Sequence, residues 1–363
     1  MSNDIGKIDK NLLVPEVIDA DDCVFYDVRQ APFEIFGLYN PTTEPVFKRL
    51  PDDIAEGTSK GVQRLAFDTS GGRVRFSTDS EYIAINAAMS SASHFPHMPM
   101  TGSSGFDLYV SKNGHDVYAG TFPPPATMTK GYTSIFHFGH REMREITINF
   151  PLYNVVDKLS VGVSEDAKVT KHSPYTFEKP IVFYGSSITQ GGCASRPGNA
   201  YPAFISQKLD CDFINLGFSG VARAEETIMN YIASLPMSVF VYDYDHNAPT
   251  LEHLVETHER GYKIVREKNP SLPIIFVSAP RGDAYSKREN HDITFKKRRA
   301  VVFETYSKAF NAGDENVYFV DGASLYDGEF PLSCTVDGTH PNDLGFLRMA
   351  TSIGKVCERV ISK

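Results

Sequence analysis

The chain has 363 residues, of which 41% are hydrophobic and 22% charged, so it can bury the core of one large domain or two ordinary ones. Its formal net charge of -9 argues against a nucleic-acid partner, which needs a basic surface. No segment approaches the ~20 apolar residues of a membrane span, so we expect no membrane partner. The basic run at residues 296–299 lies in a helical pattern and is interpreted as a solvated face.

The first residues, MSNDIGKIDKNLLV, show no apolar segment of the kind found in signal peptides, so we expect a cytoplasmic location. A periplasmic or secreted location is the alternative if a leader has been removed. The five cysteines are scattered and form no CxxC pair, which is typical of free thiols rather than of disulfides or a zinc site. Cys193 is interpreted as a packing residue.

Residues 1–175 contain short runs of alternating apolar and polar side chains separated by turn residues. This alternation predicts antiparallel strands in an all-β sandwich resembling a jelly roll. The predicted strands lie in GVQRLAFDTS, GRVRFSTDS, EYIAINAAMS, FDLYVSKNGHDVYAG, REITINFP and DKLSVGVSE. Asn113-Gly114 predicts a two-residue hairpin turn within the fourth of these segments.

Residues 176–363 alternate apolar strands with helical patterns. The strands are IVFYG, DFINLG, SVFVYDYD, PIIFVSA and VYFVDG. Helices are expected at about 200–209, 223–235, 250–269, 293–312 and 343–361. Five βα units predict a doubly wound parallel sheet, and hence a three-layer α/β/α domain of flavodoxin-like type. The segment AKVTKHSPYTFEKP is the predicted linker between the two domains.

Four polar clusters follow the predicted strands, at the edge where such sheets bind ligands: GSSIT, NLGFSG, DHN and DGTHPND. A serine nucleophile needs an adjacent base, usually histidine, and a carboxylate can orient the imidazole. Ser187, His340 and Asp337 supply these groups. The backbone N–H groups of Ser187 and Gly220 and the side-chain amide of Asn247 can stabilise an oxyanion.

In their order and spacing, these clusters resemble the four sequence blocks of the SGNH (GDSL-type) hydrolase superfamily. The resemblance implies that Ser187 is the nucleophile of a triad with His340 and Asp337. It places Gly220 and Asn247 in the oxyanion hole. It also implies a serine esterase without a metal or other cofactor, in a superfamily with many members that act on acylated carbohydrates.

Residues 105–109, GFDLY, resemble the GxDLY domain that precedes the esterase domain in one subgroup of this superfamily. The two resemblances together cover nearly the whole chain. The sequence departs from the superfamily pattern at two positions. Ser186 replaces the aspartate usual in the first block, and His246 replaces the glycine usual in the third, which makes the pocket narrower or more polar.

Simpler structural roles compete with these assignments. Taken alone, Ser187 is better explained as a helix cap, and only the other blocks favour the nucleophile. A simple turn is the competing role for Gly220, and capping of the next helix is that for Asn247, but the oxyanion role is favoured for both. Asp243 and Asp245 can tune nearby histidines or can be merely solvated.

His94 and His97 lie on a proline-containing loop, SHFPHMPMTG, of the N-terminal domain. One hypothesis is that this loop reaches the active site and contacts substrate, as His246 would. The alternative is that both are surface or interdomain histidines. Asp107 of GFDLY is interpreted as a structural anchor between strands.

The sequence therefore predicts a two-domain esterase that removes short acyl groups, with acetyl favoured, from a small-molecule or oligosaccharide ester. One alternative is a carbohydrate-binding protein whose esterase domain is inactive. Another is the same fold acting on a thioester or an amide. The sequence does not fix the oligomeric state.

Overall fold

The computed structural model describes residues 18–112, 114–281 and 291–362. Within these residues, the first half contains ten strands: β1 Cys23–Asp27, β2 Glu34–Phe36, β3 Arg73–Thr78, β4 Tyr82–Ala88, β5 Phe106–Lys112, β6 His115–Phe122, β7 Gly131–His137, β8 Arg144–Asn149, β9 Lys158–Ser164 and β10 Val169–Thr170. β5 and β6 form the predicted hairpin, in which Lys112 pairs with His115. Asn113 of its turn lies outside the described residues, and Gly114 has a left-handed φ of 77°.

Two antiparallel sheets form the N-terminal sandwich. One has the strand order β1-β9-β4-β7, and the other has the order β10-β3-β8-β5-β6 with β2 paired to β3. Their inward side chains share one core, in which Phe76, Ile83, Phe106, Ile148 and Val161 are fully buried. Burial of each such side chain is worth about 1.5–3 kcal/mol. The predicted all-β sandwich is confirmed.

The segment GVQRLAFDTS, predicted as a strand, is helical over most of its apolar part, so that prediction is wrong. Helices α1 (Asp52–Thr58) and α2 (Lys60–Leu65) occupy this region. The Ser59 hydroxyl caps α2 by accepting a hydrogen bond from Val62 N at 3.2 Å. Val62 and Leu65 lie three residues apart and are buried against the C-terminal sheet. Their helical spacing fits that core, and this contact outweighs the weak alternation in the sequence.

The second half is built on one parallel sheet with the order β12-β11-β13-β14-β15. The strands are β11 Phe177–Gly185, β12 Cys211–Gly217, β13 Val239–Asp243, β14 Ile274–Val277 and β15 Val317–Val320. Val182 and Tyr184 of β11 enter one core, and Ile181 and Phe183 enter another on the opposite face. A sheet buried on both faces needs helices on both faces, and the predicted three-layer flavodoxin-like domain is confirmed.

The remaining helices are α3 Met100–Ser103, α4 Ser187–Gln190, α5 Tyr201–Leu209, α6 Glu226–Ser234, α7 Leu251–Lys268, α8 His291–Asn311 and α9 Asp343–Val360. The long helices α5 to α9 lie within a few residues of the five predicted ones. In the described ranges, no helix has both the length and the apolar character needed to cross a bilayer.

The predicted linker, AKVTKHSPYTFEKP, is largely incorporated into the two sheets. Val169 and Thr170 form β10 and pair with β3, and β11 already begins at Phe177. Side chains of α1 and α2 also pack in the core of the C-terminal domain. The domain limits 1–175 and 176–363 stay a prediction, since residues before 175 contribute to both cores.

Candidate active site

Ser187 lies directly after β11, at the carboxyl edge of the parallel sheet. β11 ends at Gly185, where a Cβ would overlap the carbonyl oxygen of Asp243 on the neighbouring strand. Ser186 then caps α4, because its hydroxyl accepts a hydrogen bond from Ile188 N at 3.1 Å. Ser187 is the first residue of α4, so its own N–H has no acceptor within the helix.

Ser187, His340 and Asp337 form one chain of hydrogen bonds. Ser187 Oγ lies 3.0 Å from His340 Nε2. His340 Nδ1 lies 2.7 Å from Asp337 Oδ2. A neutral imidazole that donates from Nδ1 to the carboxylate leaves Nε2 as an acceptor for the serine hydroxyl. This arrangement allows the histidine to deprotonate the serine.

Asp337 is held by the tight turn that presents His340. Its Oδ1 accepts backbone N–H bonds from Thr339 at 3.0 Å and from His340 at 2.7 Å. Gly338 supplies the left-handed φ of 82° within the turn. Burial favours the neutral acid, but these N–H donors and the imidazole outweigh it and lower the pKa of Asp337 to about 2. Asp337 is therefore an anion at neutral pH, and its carboxylate accepts the hydrogen bond from His340 Nδ1.

The register of the parallel strands brings the first three sequence blocks together. Gly185 pairs with Gly217 of β12 and with Asp243 of β13, so the loops after these strands leave the sheet side by side. The Ser219 N–H donates to Gln190 Oε1 at 3.0 Å and ties the second block to α4. The Ser187 helix and the Ser219 loop are thus fixed relative to one another.

Gly220 and Asn247 lie on these adjoining loops. Gly220 is exposed with a left-handed φ of 73°, and no atom would lie within 4 Å of a Cβ there. Asn247 Nδ2 donates to Phe218 O at 2.9 Å, which positions its amide beside the loop of Gly220. The amide nitrogen carries two hydrogens, so one is left for a second acceptor. The structure thus brings both predicted oxyanion residues to the loops beside Ser187.

The sequence analysis did not find Gln190 and Arg49, which hold the second block in place. Besides accepting from Ser219, Gln190 donates to Asp68 Oδ2 at 2.9 Å. Arg49 is fully buried and donates to the carbonyl oxygens of Gly217 at 2.6 Å and Asn215 at 3.1 Å. No local motif marks either residue, because their partners lie far away in the chain.

His97 of the N-terminal sandwich reaches the triad. Its ring centroid lies 5.8 Å from that of His340, and its neighbour Phe95 packs edge-on against Tyr153 at 5.4 Å. The hypothesis that this loop reaches the site thus agrees with the placement of His97. His94 is exposed, and no hydrogen bond or ring contact joins it to the triad within the described part of the chain.

His246 is exposed on the short turn Asp245–Asn247, immediately before the predicted oxyanion residue. This position puts it at the rim of the site. Contact with substrate stays a prediction for His94, His97 and His246.

Cys193 lies beside both histidines. Its sulfur and the nearest ring nitrogens of His97 and His340 all lie within 4.8 Å of one another. Burial raises the pKa of the Cys193 thiol to about 12, so it is a neutral thiol at pH 7 and a poor competing nucleophile. It packs in the same hydrophobic core as Tyr153 and Ile188, which agrees with its interpretation as a packing residue.

The two carboxylates that follow β13 are buried rather than solvated. Asp243 Oδ2 accepts hydrogen bonds from Thr189 Oγ1 at 3.2 Å and from Tyr201 OH at 3.1 Å. Asp245 Oδ2 accepts from Ala279 N at 3.0 Å. Burial raises the pKa of both groups, to about 6 for Asp245. Asp243 thus ties the end of β13 to α4 and α5, whereas Asp245 holds the turn that carries Asn247, and neither set of contacts involves the triad histidine.

Asp107 of the GFDLY segment anchors the two halves to each other. Its Oδ1 accepts from Asn149 on the adjacent strand at 2.8 Å. Its Oδ2 accepts from Gly198 N at 2.8 Å and from Arg196 at 3.0 Å, both on the loop before α5. Asp107 therefore anchors neighbouring strands, as interpreted, and also binds the esterase domain, which that interpretation did not include.

A serine, a histidine and an aspartate in one hydrogen-bonded chain, at the carboxyl edge of a doubly wound sheet, define a serine hydrolase. The family models point to the same class. Residues 178–358 match the GDSL-like lipase/acylhydrolase family, and residues 23–169 match the GxDLY N-terminus of SGNH-hydrolase-type esterases. The chain belongs to the SGNH (GDSL-type) hydrolase superfamily, in the subgroup with an N-terminal GxDLY domain, and is an SGNH-type serine esterase.

Solved structures show the same two-part architecture. A Bacteroides ovatus protein assigned to the GDSL-like lipases is 27% identical, with a TM-score of 0.84 over 94% of this chain and 98% of the other. Salicylyl-acyltransferase SsfX3, from a tetracycline biosynthetic pathway, is 20% identical, with a TM-score of 0.75 and the same coverage. A Clostridium thermocellum family two carbohydrate esterase, solved with cellohexaose, is 14% identical over 81% of this chain and 94% of the other, with a TM-score of 0.54. The last two share the fold. No curated protein matches the sequence.

Proposed function

We propose that this esterase hydrolyses short acyl esters, with acetyl favoured, on a carbohydrate through an acyl-enzyme. The observation that carries the mechanism is the hydrogen-bonded chain from Ser187 Oγ to His340, at 3.0 Å, and from His340 to Asp337, at 2.7 Å. Each link has the length and the order that proton transfer from serine to histidine requires.

In the first half of the reaction, Ser187 Oγ attacks the ester carbonyl and His340 Nε2 takes the serine proton. Asp337 keeps the other ring proton on Nδ1 and stabilises the imidazolium. The carbonyl oxygen becomes an oxyanion, which accepts hydrogen bonds from the N–H groups of Ser187 and Gly220 and from the Asn247 amide. The intermediate collapses when the bond to the leaving alcohol breaks, and His340 gives its proton to that oxygen.

In the second half, water replaces the alcohol. His340 takes a proton from water, and the water oxygen attacks the acyl carbon. The second oxyanion that results accepts hydrogen bonds from the same donors as the first. The bond to Ser187 Oγ then breaks, and His340 returns the proton to that oxygen. The products are one carboxylic acid and one alcohol, and the enzyme is restored.

Close packing beside the nucleophile supports a short acyl group. A Cβ on Gly192 would lie 2.9 Å from Tyr153 OH and 3.2 Å from His340 Cδ2, so little space remains on that side. Tyr153 also donates to Ser187 O at 3.2 Å, which fixes the tyrosine there.

The polar rim supports a carbohydrate alcohol. Exposed His97 and His246 can exchange hydrogen bonds with sugar hydroxyls. The cellohexaose complex of a structural neighbour also supports an oligosaccharide substrate.

The test compares p-nitrophenyl acetate, butyrate and octanoate with wild type, Ser187→Ala and the matched control Ser186→Ala. We expect turnover to fall with acyl length and to disappear in Ser187→Ala. Ser186→Ala keeps the nucleophile and loses only a helix cap, worth about 1 kcal/mol, so it should retain turnover. Acetate release from acetylated cello- and xylo-oligosaccharides then tests the sugar. Activity that survives Ser187→Ala would contradict the mechanism, and octanoate hydrolysed faster than acetate would contradict the short acyl group.

A further inference from the structure

We propose that His97, Cys193 and His340 form a binding site for a soft divalent cation such as Zn²⁺, and that the bound ion inhibits the esterase. The inhibition rests on the function proposed above, whereas binding of the ion does not. One potential ligand, His340, belongs to the triad, and the other two have no part in the proposed reaction steps.

The three donor atoms are close enough to share one ion. The Cys193 sulfur and the nearest nitrogens of His97 and His340 lie within 4.8 Å of one another. Tetrahedral zinc, with Zn–S of about 2.3 Å and Zn–N of about 2.0–2.1 Å, places its ligands about 3.3–3.7 Å apart. A movement of about 1 Å completes the site, and the exposed His97 ring can make it.

The ligand set selects the kind of metal. Two imidazole nitrogens and one thiolate suit zinc and its soft neighbours, whereas Mg²⁺ and Ca²⁺ prefer oxygen. His340 has a further feature of metal sites, because its Nδ1 bonds to Asp337 at 2.7 Å and leaves Nε2 for the ion. Cys193 loses its thiol proton to solvent when it becomes a ligand.

Two of the ligands are held rigidly. Cys193 is buried with a left-handed φ of 74°, and a Cβ on the preceding Gly192 would lie only 3.2 Å from the His340 ring. The third ligand, His97, comes from the other domain. A bound ion would therefore link the His97 loop of the sandwich to the esterase domain beside Ser187.

Occupation of the site removes the general base. A ring nitrogen that donates its lone pair to the metal cannot accept the proton of Ser187, which lies 3.0 Å from the same Nε2. Inhibition should therefore be reversible, since a chelator restores the free imidazole.

Binding is tested with Co²⁺ as a spectroscopic probe on the metal-free full-length protein. We expect a thiolate-to-cobalt charge-transfer band in wild type and in Ser187→Ala, which keeps all three ligands. The band should be lost in Cys193→Ser and weakened in His97→Asn. His94→Asn, on the same loop, is the matched control and should retain it. Absence of the band in wild type, or its persistence in Cys193→Ser, would overturn the site whatever the enzyme does with esters.

Inhibition is tested with Zn²⁺ on p-nitrophenyl acetate turnover, with each variant compared with its own metal-free rate. Loss of a ligand should raise the half-inhibitory zinc concentration about tenfold or more, since even loss of a group that merely orients a metal-bound histidine costs about 10–100-fold in affinity. Addition of a chelator should restore the rate. Equal zinc sensitivity of wild type, Cys193→Ser and His97→Asn would overturn the proposal.

Discussion

Ser186 shows how one side chain can replace another in a catalytic motif without changing the backbone that the motif needs. The superfamily block usually has aspartate here, and serine and aspartate are both among the preferred helix caps. The Ser186 hydroxyl accepts from Ile188 N at 3.1 Å, so the turn that presents Ser187 is retained. This departure from the pattern therefore leaves the geometry of the nucleophile intact.

Asn247 gives a test of the oxyanion hole that leaves the triad untouched. Asn247→Ala removes one donor to the developing negative charge, so kcat for p-nitrophenyl acetate should fall about 10²–10³-fold. KM should change little, because the donor acts mainly in the transition state. The measurement is steady-state kinetics on the purified variant.

Asn230→Ala is the matched control for Asn247→Ala. Asn230 is half-buried on α6 and donates to Glu226 O within the same helix at 2.9 Å. Its kcat should equal that of wild type. A raised KM with an unchanged kcat in Asn247→Ala would mean that this residue only binds substrate and is not part of the oxyanion hole.

The triad could be predicted from the sequence because its members sit in short motifs of fixed order. Gln190 and Arg49 could not be predicted, although they hold the loop of Gly220. Arg49 donates to the Gly217 carbonyl at 2.6 Å, although the two residues are 168 positions apart in the sequence. Contacts of this kind form only on folding, and no sequence pattern near either residue predicts them.

Among the secondary-structure elements, α7 carries a buried ionisable group that contributes to the acid sensitivity of the domain. His258 on α7 is buried, stacks on Tyr242 of β13 at 4.7 Å and bonds to Thr305 on α8 at 2.9 Å. Burial lowers the pKa of His258 from 6.5 to about 3. The unfolded chain takes up this proton below pH 6.5 and the native state does not, so stability is present above that pH and is lost as the pH falls toward 3.

The variant His258→Phe keeps the aromatic stack and removes the titration. Between pH 7 and pH 5, wild type should lose about 2 kcal/mol more of its free energy of unfolding than His258→Phe loses. Urea unfolding at the two values of pH measures this difference. Thr305→Val is the control, because it removes the hydrogen bond but keeps the histidine, and it should retain the wild-type pH dependence. Parallel curves for wild type and His258→Phe would refute the assignment.

The elements predicted correctly are those whose hydrophobic pattern matches the faces that are buried in the structure. The strand IVFYG is apolar on both faces and lies between two cores, and the long helices have one buried face. The segment GVQRLAFDTS failed because Val62 and Leu65 pack at helical spacing against the distant sheet. β1 was missed for a related reason, since most of its side chains are exposed and give no alternation.

At the scale of the whole molecule, Asp107 joins the two halves through a fully buried carboxylate. Asp107→Ala would leave the Gly198 N–H and the Asn149 amide without their acceptor and would unpair Arg196. Arg196 is partly exposed, so the cost comes mainly from the buried donors that lose their acceptor, about 1–3 kcal/mol for each, and we expect a destabilisation of that order in urea unfolding.

Asp166→Ala is the matched control for Asp107→Ala. Asp166 also pairs with an arginine, but its side chain is 68% exposed, so its loss should leave the free energy of unfolding nearly unchanged. If the two substitutions changed the free energy of unfolding equally, Asp107 would not be an anchor between the two halves.

Helices α1 and α2 belong to the first half of the chain but cover the sheet of the second. During synthesis they leave the ribosome before the strands that they cover, and their apolar side chains have no partner surface until those strands appear. Contacts so distant in sequence form late and slowly. The esterase domain can therefore complete its core only when α1 and α2 and the strands of the second half are all available. The order of translation therefore places completion of this core after synthesis of the catalytic sheet, although two of its helices are made long before.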